Sequence, residues 1–484
     1  MTIEYKAIWI AMLIFLAVAG SGQRGPAIVP NGAHFPNPGG TSSTYSTAGG
    51  IDLTGPFFQS MGTNGRSCGS CHQPSDGMSV SAAHVQQRFD TTQGLDPIFR
   101  TVDGSNCNHD IDVSTVEARS AAYSLLRTRG LIRIAIQVPA NADFAVVSVD
   151  NPYACGETDT ISQYRRPLPS TNLSFLSAVM FDGRESSPLT GTIKILPTNY
   201  PQSLRSDLLH QSVDATTGHA QGDGTRPTPA EQQQIVDFEM ALFTAQATGR
   251  GTGNLDARGA TGGPKPLISQ PFFIGTNSQI PVFENPASGP FNPAIFNTFD
   301  AWAGLPYNDP RAAVARGQLV FNSKPISITG VAGLNDDKAA GGLVTGGIPV
   351  IAGFCGTCHD TPNVGNHSFP TPLNIGTGEP TPANQSINLG GLDLSYLPKI
   401  TVRSNVTGEE KTTSDLGQAL IDGRFDHVGK IKGPILRGLS ARAPYFHNGS
   451  AQSLLDVVHF YEVRFGVVFT PQEEADLVAF LSSL

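Results

Sequence analysis

Two stretches of the chain combine a helix start signal with apolar residues at helical spacing. Thr228-Pro229-Ala230-Glu231 and Thr470-Pro471-Gln472-Glu473 each place a threonine before a proline and a glutamate three residues after the threonine. This arrangement is typical of a capped helix start. The apolar residues that follow recur at helical spacing, and they are Ile235, Phe238, Leu242 and Phe243, then Leu477, Val478, Leu481 and Leu484. The pattern predicts two helices, each closing one of two similar units.

Shorter patterns fill in the rest of the chain. Helices are also predicted over residues 116–129, 311–321 and 454–464. Strands are predicted over residues 131–138, 144–149 and 398–405, from apolar, β-branched runs. Because only Pro139-Ala140-Asn141-Ala142-Asp143 separates the first two strands, they predict a β-hairpin. The sequence therefore predicts a mainly α fold of two helical units, with a small β-hairpin insertion at about residues 105–170 and long loops.

The N-terminus has the pattern of a targeting segment. Residues 7–19 are an unbroken apolar run, which follows Lys6 and ends in Ala17-Val18-Ala19 before a Gly-Ser-Gly stretch. This run is too short to span a bilayer, which needs about 20 residues. Residues 1–19 are therefore predicted to be a signal peptide, with an uncleaved anchor as the alternative. Residues 20–50 are rich in Gly, Ser, Thr and Pro and predict a loosely ordered leader.

Composition and charge limit the class of protein. The 53 glycines and 36 prolines indicate extensive loops. A net charge of −9 without a basic block excludes nucleic acid and anionic membrane surfaces as partners. Residues 249–309 are rich in Gly, Pro and Asn and predict a surface linker between domains at 51–248 and 310–484.

The chemistry of the chain centres on two copies of one motif. Cys68-Gly69-Ser70-Cys71-His72 and Cys355-Gly356-Thr357-Cys358-His359 each place two thiols three positions apart, followed by a histidine. This spacing fits covalent attachment of haem c, with the thiols bonded to the porphyrin and the histidine as iron ligand. A zinc site is the weaker alternative, since its second cysteine pair would lie much closer. The chain therefore predicts two cytochrome c-like domains, each with one covalent haem.

The other cysteines and the methionines add two constraints. Cys107 and Cys155, the remaining two of six cysteines, could form a disulfide in an oxidising compartment or remain separate thiols. The chain has six methionines and none follows Met240, so the second unit cannot supply its own haem with a methionine. The second axial ligand there would be a tyrosine or one of His367, His427, His447 and His459. Candidates for the first haem are His84 and Met78.

Three further stretches resemble one family. Phe181-Asp182-Gly183-Arg184, the stretch from Lys432 to Leu439 and the stretch from Ala443 to Ser450 are similar to the bacterial di-haem cytochrome c peroxidase and MauG family. With the two haem motifs, the resemblance covers roughly residues 55–484. In this family the second haem is ligated by a residue fourteen positions after the histidine of the stretch that matches Ala443 to Ser450. This residue is a methionine in the peroxidases and a tyrosine in MauG-type members. Fourteen residues after His447 stands Tyr461, which the resemblance favours over His459.

The resemblance also implies roles around the first haem, which is the peroxide site in the family. Gln211 matches the family's distal glutamine, but the acid/base glutamate ten residues later is replaced by Gln221. Because glutamine cannot take a proton, His219 is the alternative acid/base. Phe181 stands where the family has a tryptophan between the haems.

The family also binds one calcium ion between the haems, partly through main-chain carbonyls in the stretch that matches Arg442 and Pro444. The resemblance makes this ion possible here.

The sequence as a whole predicts a periplasmic, di-haem oxidoreductase that depends on hydrogen peroxide. Its electrons would come from a small redox protein, such as a c-type cytochrome or a cupredoxin, or from an oxidisable protein substrate. One alternative is a di-haem carrier that transfers electrons without catalysis. Another is a di-haem oxygenase that acts on an organic substrate.

Overall fold

The computed structural model describes residues 27–107, 111–155, 160–186, 200–279, 289–336, 347–368, 370–379 and 392–484. Its α-helices are α1 (Ala82–Thr92), α2 (Val116–Ala122), α3 (Ser124–Arg129), α4 (Gln202–His219), α5 (Pro229–Met240), α6 (Pro310–Ser323), α7 (Cys355–Cys358), α8 (Ala419–Asp422), α9 (Leu454–Phe465) and α10 (Pro471–Leu481). Its strands are β1 (Ile28–Pro30), β2 (His34–Asn37), β3 (Gly40–Ser46), β4 (Gly50–Asp52), β5 (Ile132–Gln137), β6 (Phe144–Asp150), β7 (Thr160–Arg165), β8 (Leu242–Gly249), β9 (Gly253–Asn254), β10 (Ile326–Thr329), β11 (Val350–Gly353), β12 (Lys399–Ser404) and β13 (Glu410–Thr413).

The two capped helix starts are confirmed. Thr228 caps α5 and Thr470 caps α10, each through a capping box with the glutamate three residues later. The apolar run after Met240 is not helical, however, because Leu242 and Phe243 begin β8, which pairs with β3. Backbone pairing with a distant strand has overridden the local helical pattern.

The prediction of a mainly α fold with two cytochrome c-like helical domains was wrong. Helices make up 32% and strands 18% of the structure, and the strands in the described part of the chain form five small sheets. Most of these strands are short, and two of the pairings, β3 with β8 and β6 with β12, join segments about 200 or more residues apart. Local patterning carries little information about such pairings, so the loop-rich segments hid the strands.

The predicted β-hairpin is also absent from the described residues. β5 pairs with β7, whereas β6 pairs with β12 and so joins a three-stranded sheet with β13. The first two strands exist close to the predicted positions, but each has a different partner. Near β7, Cys107 and Cys155 form a disulfide with Cα atoms 5.7 Å apart.

Two segments predicted to be loose are packed. The strands β1 to β3 and the start of β4 lie within the predicted leader, residues 20–50, and β3 lies in a four-stranded sheet beside β8. Within the predicted linker, Phe299 and Trp302 are fully buried and stack with ring centroids 5.0 Å apart. Both belong to the core around α6 and α10, so this part of the segment is interior rather than surface. The division into domains at 51–248 and 310–484 stays a prediction.

The helices α6 and α10 pack closely against each other in the core that contains Phe299 and Trp302. Gly317 makes this possible, because a Cβ at that position would lie 1.9 Å from the carbonyl oxygen of Asp476. The predicted signal peptide lies outside the described residues. Among the helices that are described, none is both long and apolar enough to cross a membrane.

Candidate functional site

Each cysteine–histidine motif folds into a tight turn on the wall of a cavity. Cys68–Ser70 is a 3-10 turn and Cys355–Cys358 is the short helix α7. In both turns a side-chain hydroxyl accepts a hydrogen bond from the backbone N–H of the residue that precedes the turn. The hydroxyl of Ser70 accepts from Ser67 at 3.0 Å, and that of Thr357 accepts from Phe354 at 2.9 Å. We call the two spaces the first cavity, lined by Cys68, Cys71 and His72, and the second cavity, lined by Cys355, Cys358 and His359.

The two motif histidines are held in the same way. Nδ1 of His72 donates to the carbonyl of Met78, and Nδ1 of His359 donates to the carbonyl of Gly365, both at 3.0 Å. Burial lowers the pKa of each imidazole to about 4, so both rings are neutral near pH 7. Because Nδ1 carries the proton, Nε2 has a free lone pair, which is the arrangement that a metal-ligating histidine requires.

The thiols of the two motifs are poor anions in this environment. Burial raises the pKa of Cys68, Cys355 and Cys358 to about 12 and also raises that of Cys71. A thioether bond to a porphyrin leaves sulfur uncharged, whereas a zinc site needs thiolates. The buried sulfurs therefore suit covalent haem attachment.

Four buried cations around the cavities have no carboxylate partner among the described residues. Burial lowers the pKa of Lys432 to about 8, of Arg437 to about 9, and of Arg166 and Arg442 to about 10. Nη1 of Arg437 and Nε of Arg442 lack any hydrogen-bond partner in the described structure. Unpaired buried charges are costly, so these groups fit anions inside the cavities, such as the propionates of two haems. The residues present therefore fit the predicted cofactors.

The second cavity receives several of the predicted ligand candidates. Tyr461, His367 and His447 all line it together with His359. His459 does not, since its Nε2 lies 3.6 Å from a carboxylate on α10 and its side chain is 40% exposed. His427 instead makes a hydrogen bond through Nδ1 to the side chain of Asp422, at 2.5 Å. The structure therefore places Tyr461 in the cavity and leaves His459 outside it.

The first cavity receives both predicted catalytic residues. Gln211 and His219, which belong to α4, line it with His72. His219 is near enough to contribute, after burial, to the lowered pKa of His72. The ligand candidates His84 and Met78 do not line this cavity. The side chain of His84 makes a hydrogen bond to Asp76 instead, and Met78 packs in an apolar core cluster.

Two further residues of the first cavity were missed from sequence. Met180 lines it directly before the Phe-Asp-Gly-Arg stretch. Glu239 lines it too, and burial raises the pKa of its carboxyl to about 8. One of its carboxylate oxygens has no partner among the described residues. The available signal was a charged residue on the apolar face of α5, four positions after Ile235.

One wall separates the two cavities. The residues that line both cavities are Arg166, Phe181, Lys432 and the stretch Pro167-Leu168-Pro169. The ring of Phe181 meets that of His447 edge-on at a centroid distance of 5.9 Å. The backbone N–H of Lys432 donates to the carbonyl of Phe181 at 2.7 Å, and this bond joins two of the segments that form the wall.

One of the carbonyls predicted to bind calcium already has a cation of the chain as its partner. The carbonyl of Arg442 accepts a hydrogen bond from Nη2 of Arg166 at 2.8 Å. The same guanidinium donates to the carbonyls of Val80 at 2.6 Å and Arg129 at 2.5 Å. Gly130 leaves room for it, because a Cβ there would lie 2.5 Å from Nη1. A cation of the chain thus bonds to one of the carbonyls expected to bind the metal, and calcium in this stretch stays a prediction.

Comparisons with known proteins give little beyond these observations. No family model and no curated protein matches the chain. Hydrazine synthase from Kuenenia stuttgartiensis overlaps with 84% of this chain and 93% of its own, at 15% identity and a TM-score of 0.29. A tyrosine-to-methionine variant of a diheme peroxidase from Burkholderia thailandensis overlaps with 94% of both chains, at 12% identity and a TM-score of 0.29. Such TM-scores do not establish a shared fold, and the family resemblance stays a prediction.

Proposed function

We propose that the chain is a di-haem oxidoreductase that reduces hydrogen peroxide in the first cavity. One observation carries this proposal: Gln211 and His219 line the same cavity as Cys68, Cys71 and His72. An amide and an imidazole thus share one cavity with a haem attachment site. The electrons would come from a small redox protein, such as a c-type cytochrome or a cupredoxin, or from an oxidisable protein. The predicted signal peptide supports export to the periplasm.

The cofactor chemistry divides between the haems and the chain. When bound, each haem c would supply an iron that accepts and passes on electrons. The porphyrins would be held by the four motif cysteines, Cys68, Cys71, Cys355 and Cys358. The iron ligands would be His72 and His359. Tyr461 would be the second ligand in the second cavity, where an anionic phenolate would favour the oxidised state and lower the potential.

The residues of the first cavity would position peroxide and move its proton. Hydrogen peroxide with two electrons and two protons gives two molecules of water. In the proposed step, the amide of Gln211 holds peroxide by a hydrogen bond. His219 takes a proton from one peroxide oxygen and returns it to the other as the O–O bond breaks. Such a positioned base contributes typically about 10²- to 10⁴-fold to a rate.

The test uses protein matured with its haems in a periplasm. Mass spectrometry counts the attached haems, and peroxide consumption is followed with a reduced c-type cytochrome as electron donor. We expect two haems, and a turnover that His219→Gln lowers by about 100-fold or more. His34→Gln, which changes a histidine on the exposed strand β2, is the matched control. A single haem, or no peroxide consumption, contradicts the proposal.

Met180 favours a second candidate function, electron transfer without catalysis. Met180 lines the first cavity, where its thioether could be a second ligand of the first haem. In that case the ferric protein would contain two low-spin haems, and Met180→Ala would produce a high-spin signal. A high-spin ferric fraction in the unchanged protein favours the peroxidase.

A further inference from the structure

We infer that Asp103, fixed in place by Arg66, is the positioning residue that prepares His219 for proton transfer. The inference deepens the proposed peroxide reduction and rests on it. Asp103, Arg66 and His219 all line the first cavity, although Asp103 is more than a hundred residues away from His219 in sequence.

The contacts join the three side chains in a row. Nδ1 of His219 and Oδ2 of Asp103 are 2.5 Å apart. The other oxygen, Oδ1, accepts a hydrogen bond from Nη1 of Arg66. Arg66 itself is anchored, since its Nε donates to the carbonyl of Pro97 at 3.0 Å and its Nη2 to that of Ile98 at 2.6 Å. The carboxylate therefore has little freedom to turn.

The backbone of His219 is held as firmly as its ring. Its carbonyl, at the last residue of α4, accepts hydrogen bonds from Nδ2 of Asn64 at 2.8 Å and from Nη1 of Arg66 at 3.2 Å. Arg66 and Asp103 are only 2% and 6% exposed, whereas the His219 side chain is 39% exposed. The imidazole is thus hydrogen-bonded to a buried, charged pair, while its own side chain is partly exposed and lines the first cavity.

This arrangement sets the tautomer of the imidazole. Burial alone would raise the pKa of Asp103, but Arg66 and then His219 outweigh it, so its pKa is lowered and the carboxylate is charged. A carboxylate only accepts hydrogen bonds, so Nδ1 of His219 must donate. In the neutral ring, Nε2 then keeps a lone pair for the peroxide proton, and the carboxylate stabilises the imidazolium that forms. A carboxylate has this role toward the histidine of the serine-protease triad.

The test is a single-turnover measurement on the haem-loaded protein, in which hydrogen peroxide is mixed with it and the haem absorbance is followed. We expect Asp103→Asn to slow the spectral change by about 100-fold or more, because asparagine can hold the ring in the wrong tautomer. Asp103→Glu, which keeps the charge, should recover part of the rate. Asp223→Asn alters an exposed aspartate in the loop after α4 and should leave the rate unchanged.

A double variant separates positioning from a structural effect. If Asp103 acts through His219, the variant with both Asp103→Asn and His219→Gln should be no slower than His219→Gln alone. Multiplied losses, or an Asp103→Asn rate equal to that of Asp223→Asn, overturn the inference. If the unchanged protein shows no spectral response to peroxide, the proposed function fails instead. If His219→Gln converts a low-spin haem to a high-spin one, His219 is an iron ligand and the inference is wrong.

Discussion

Tyr461 lies in the same buried cavity as His359, whereas His459, one helical half-turn before it on α9, lies outside. If the phenol is the second ligand, Tyr461→Phe should remove the low-spin signal of the second haem and raise its reduction potential. Electron paramagnetic resonance of the ferric protein and a redox titration measure these effects. His459→Gln is the matched control and should change neither. A low-spin signal that survives in Tyr461→Phe would leave His367 and His447, which share the cavity, as the ligands to test.

Phe181 gives a second expectation, about electron transfer through the wall between the cavities. Its ring lies in the wall between the two cavities. Phenylalanine is much harder to oxidise than the tryptophan that stands at this position in the family that the chain resembles. Electrons should therefore cross by direct tunnelling, and Phe181→Leu should leave the rate between the haems nearly unchanged. Rapid reduction of one haem, followed by absorbance of the other, measures this rate. A loss of about tenfold, equivalent to 1.4 kcal/mol in barrier, would mean that the ring takes part.

Calcium should have little effect on this protein, because the guanidinium of Arg166 already bonds to one of the carbonyls expected to bind it. Removing calcium with a chelator, or adding it back, should change neither the haem spectrum nor the thermal unfolding temperature. A spectrum that changes reversibly with calcium would contradict this.

Arg166→Ala, in contrast, should lower the free energy of unfolding by about 3 kcal/mol or more, since hydrogen bonds to charged groups contribute about 1.5–3 kcal/mol each. Arg205→Ala changes a surface arginine on α4 and should stay within about 0.5 kcal/mol. Chemical denaturation of the haem-loaded variants gives both values.

A buried ion-pair network should make the protein sensitive to acid. Arg165 bonds to Asp182 and to Asp415, and all three are buried. Despite their burial, which opposes ionisation, arginines lower the pKa of both carboxyls below the usual value of 3.8. Since the folded-state pKa is depressed, this stabilisation is fully present above pH 3.8 and is lost as the pH falls through the lowered values.

Asp182→Asn should therefore lower stability at pH 7 and weaken the dependence on pH in the acid range. Removing one partner of a buried ion pair costs about 3–5 kcal/mol. Denaturant titrations between pH 2 and pH 7 would show both effects, with Asp223→Asn as the exposed control. A pH dependence as steep as that of the unchanged protein would contradict the assignment to this network.

Short-range signals in the sequence located some features of this molecule and long-range pairing hid others. Capping residues act within one turn, so Thr228 and Thr470 marked the starts of α5 and α10 correctly. Strand partners are not encoded locally, and so the pairing of β6 with β12 and the mixed fold were missed. The same limit applies to the cavities. The spacing of cysteines and histidines suggested the attachment sites, but no pattern linked Asp103 to His219 or Glu239 to His72.

The four buried cations have a consequence for how the protein matures. Without an anion inside the cavities, four side chains would each carry a charge into the interior with no carboxylate partner among the described residues; they are Arg166, Lys432, Arg437 and Arg442. The chain should therefore complete its folding only after the porphyrins are attached, with their propionates neutralising these side chains. A precursor that fails to receive them should remain partly open and be removed by proteases, so that the cell accumulates only the loaded form.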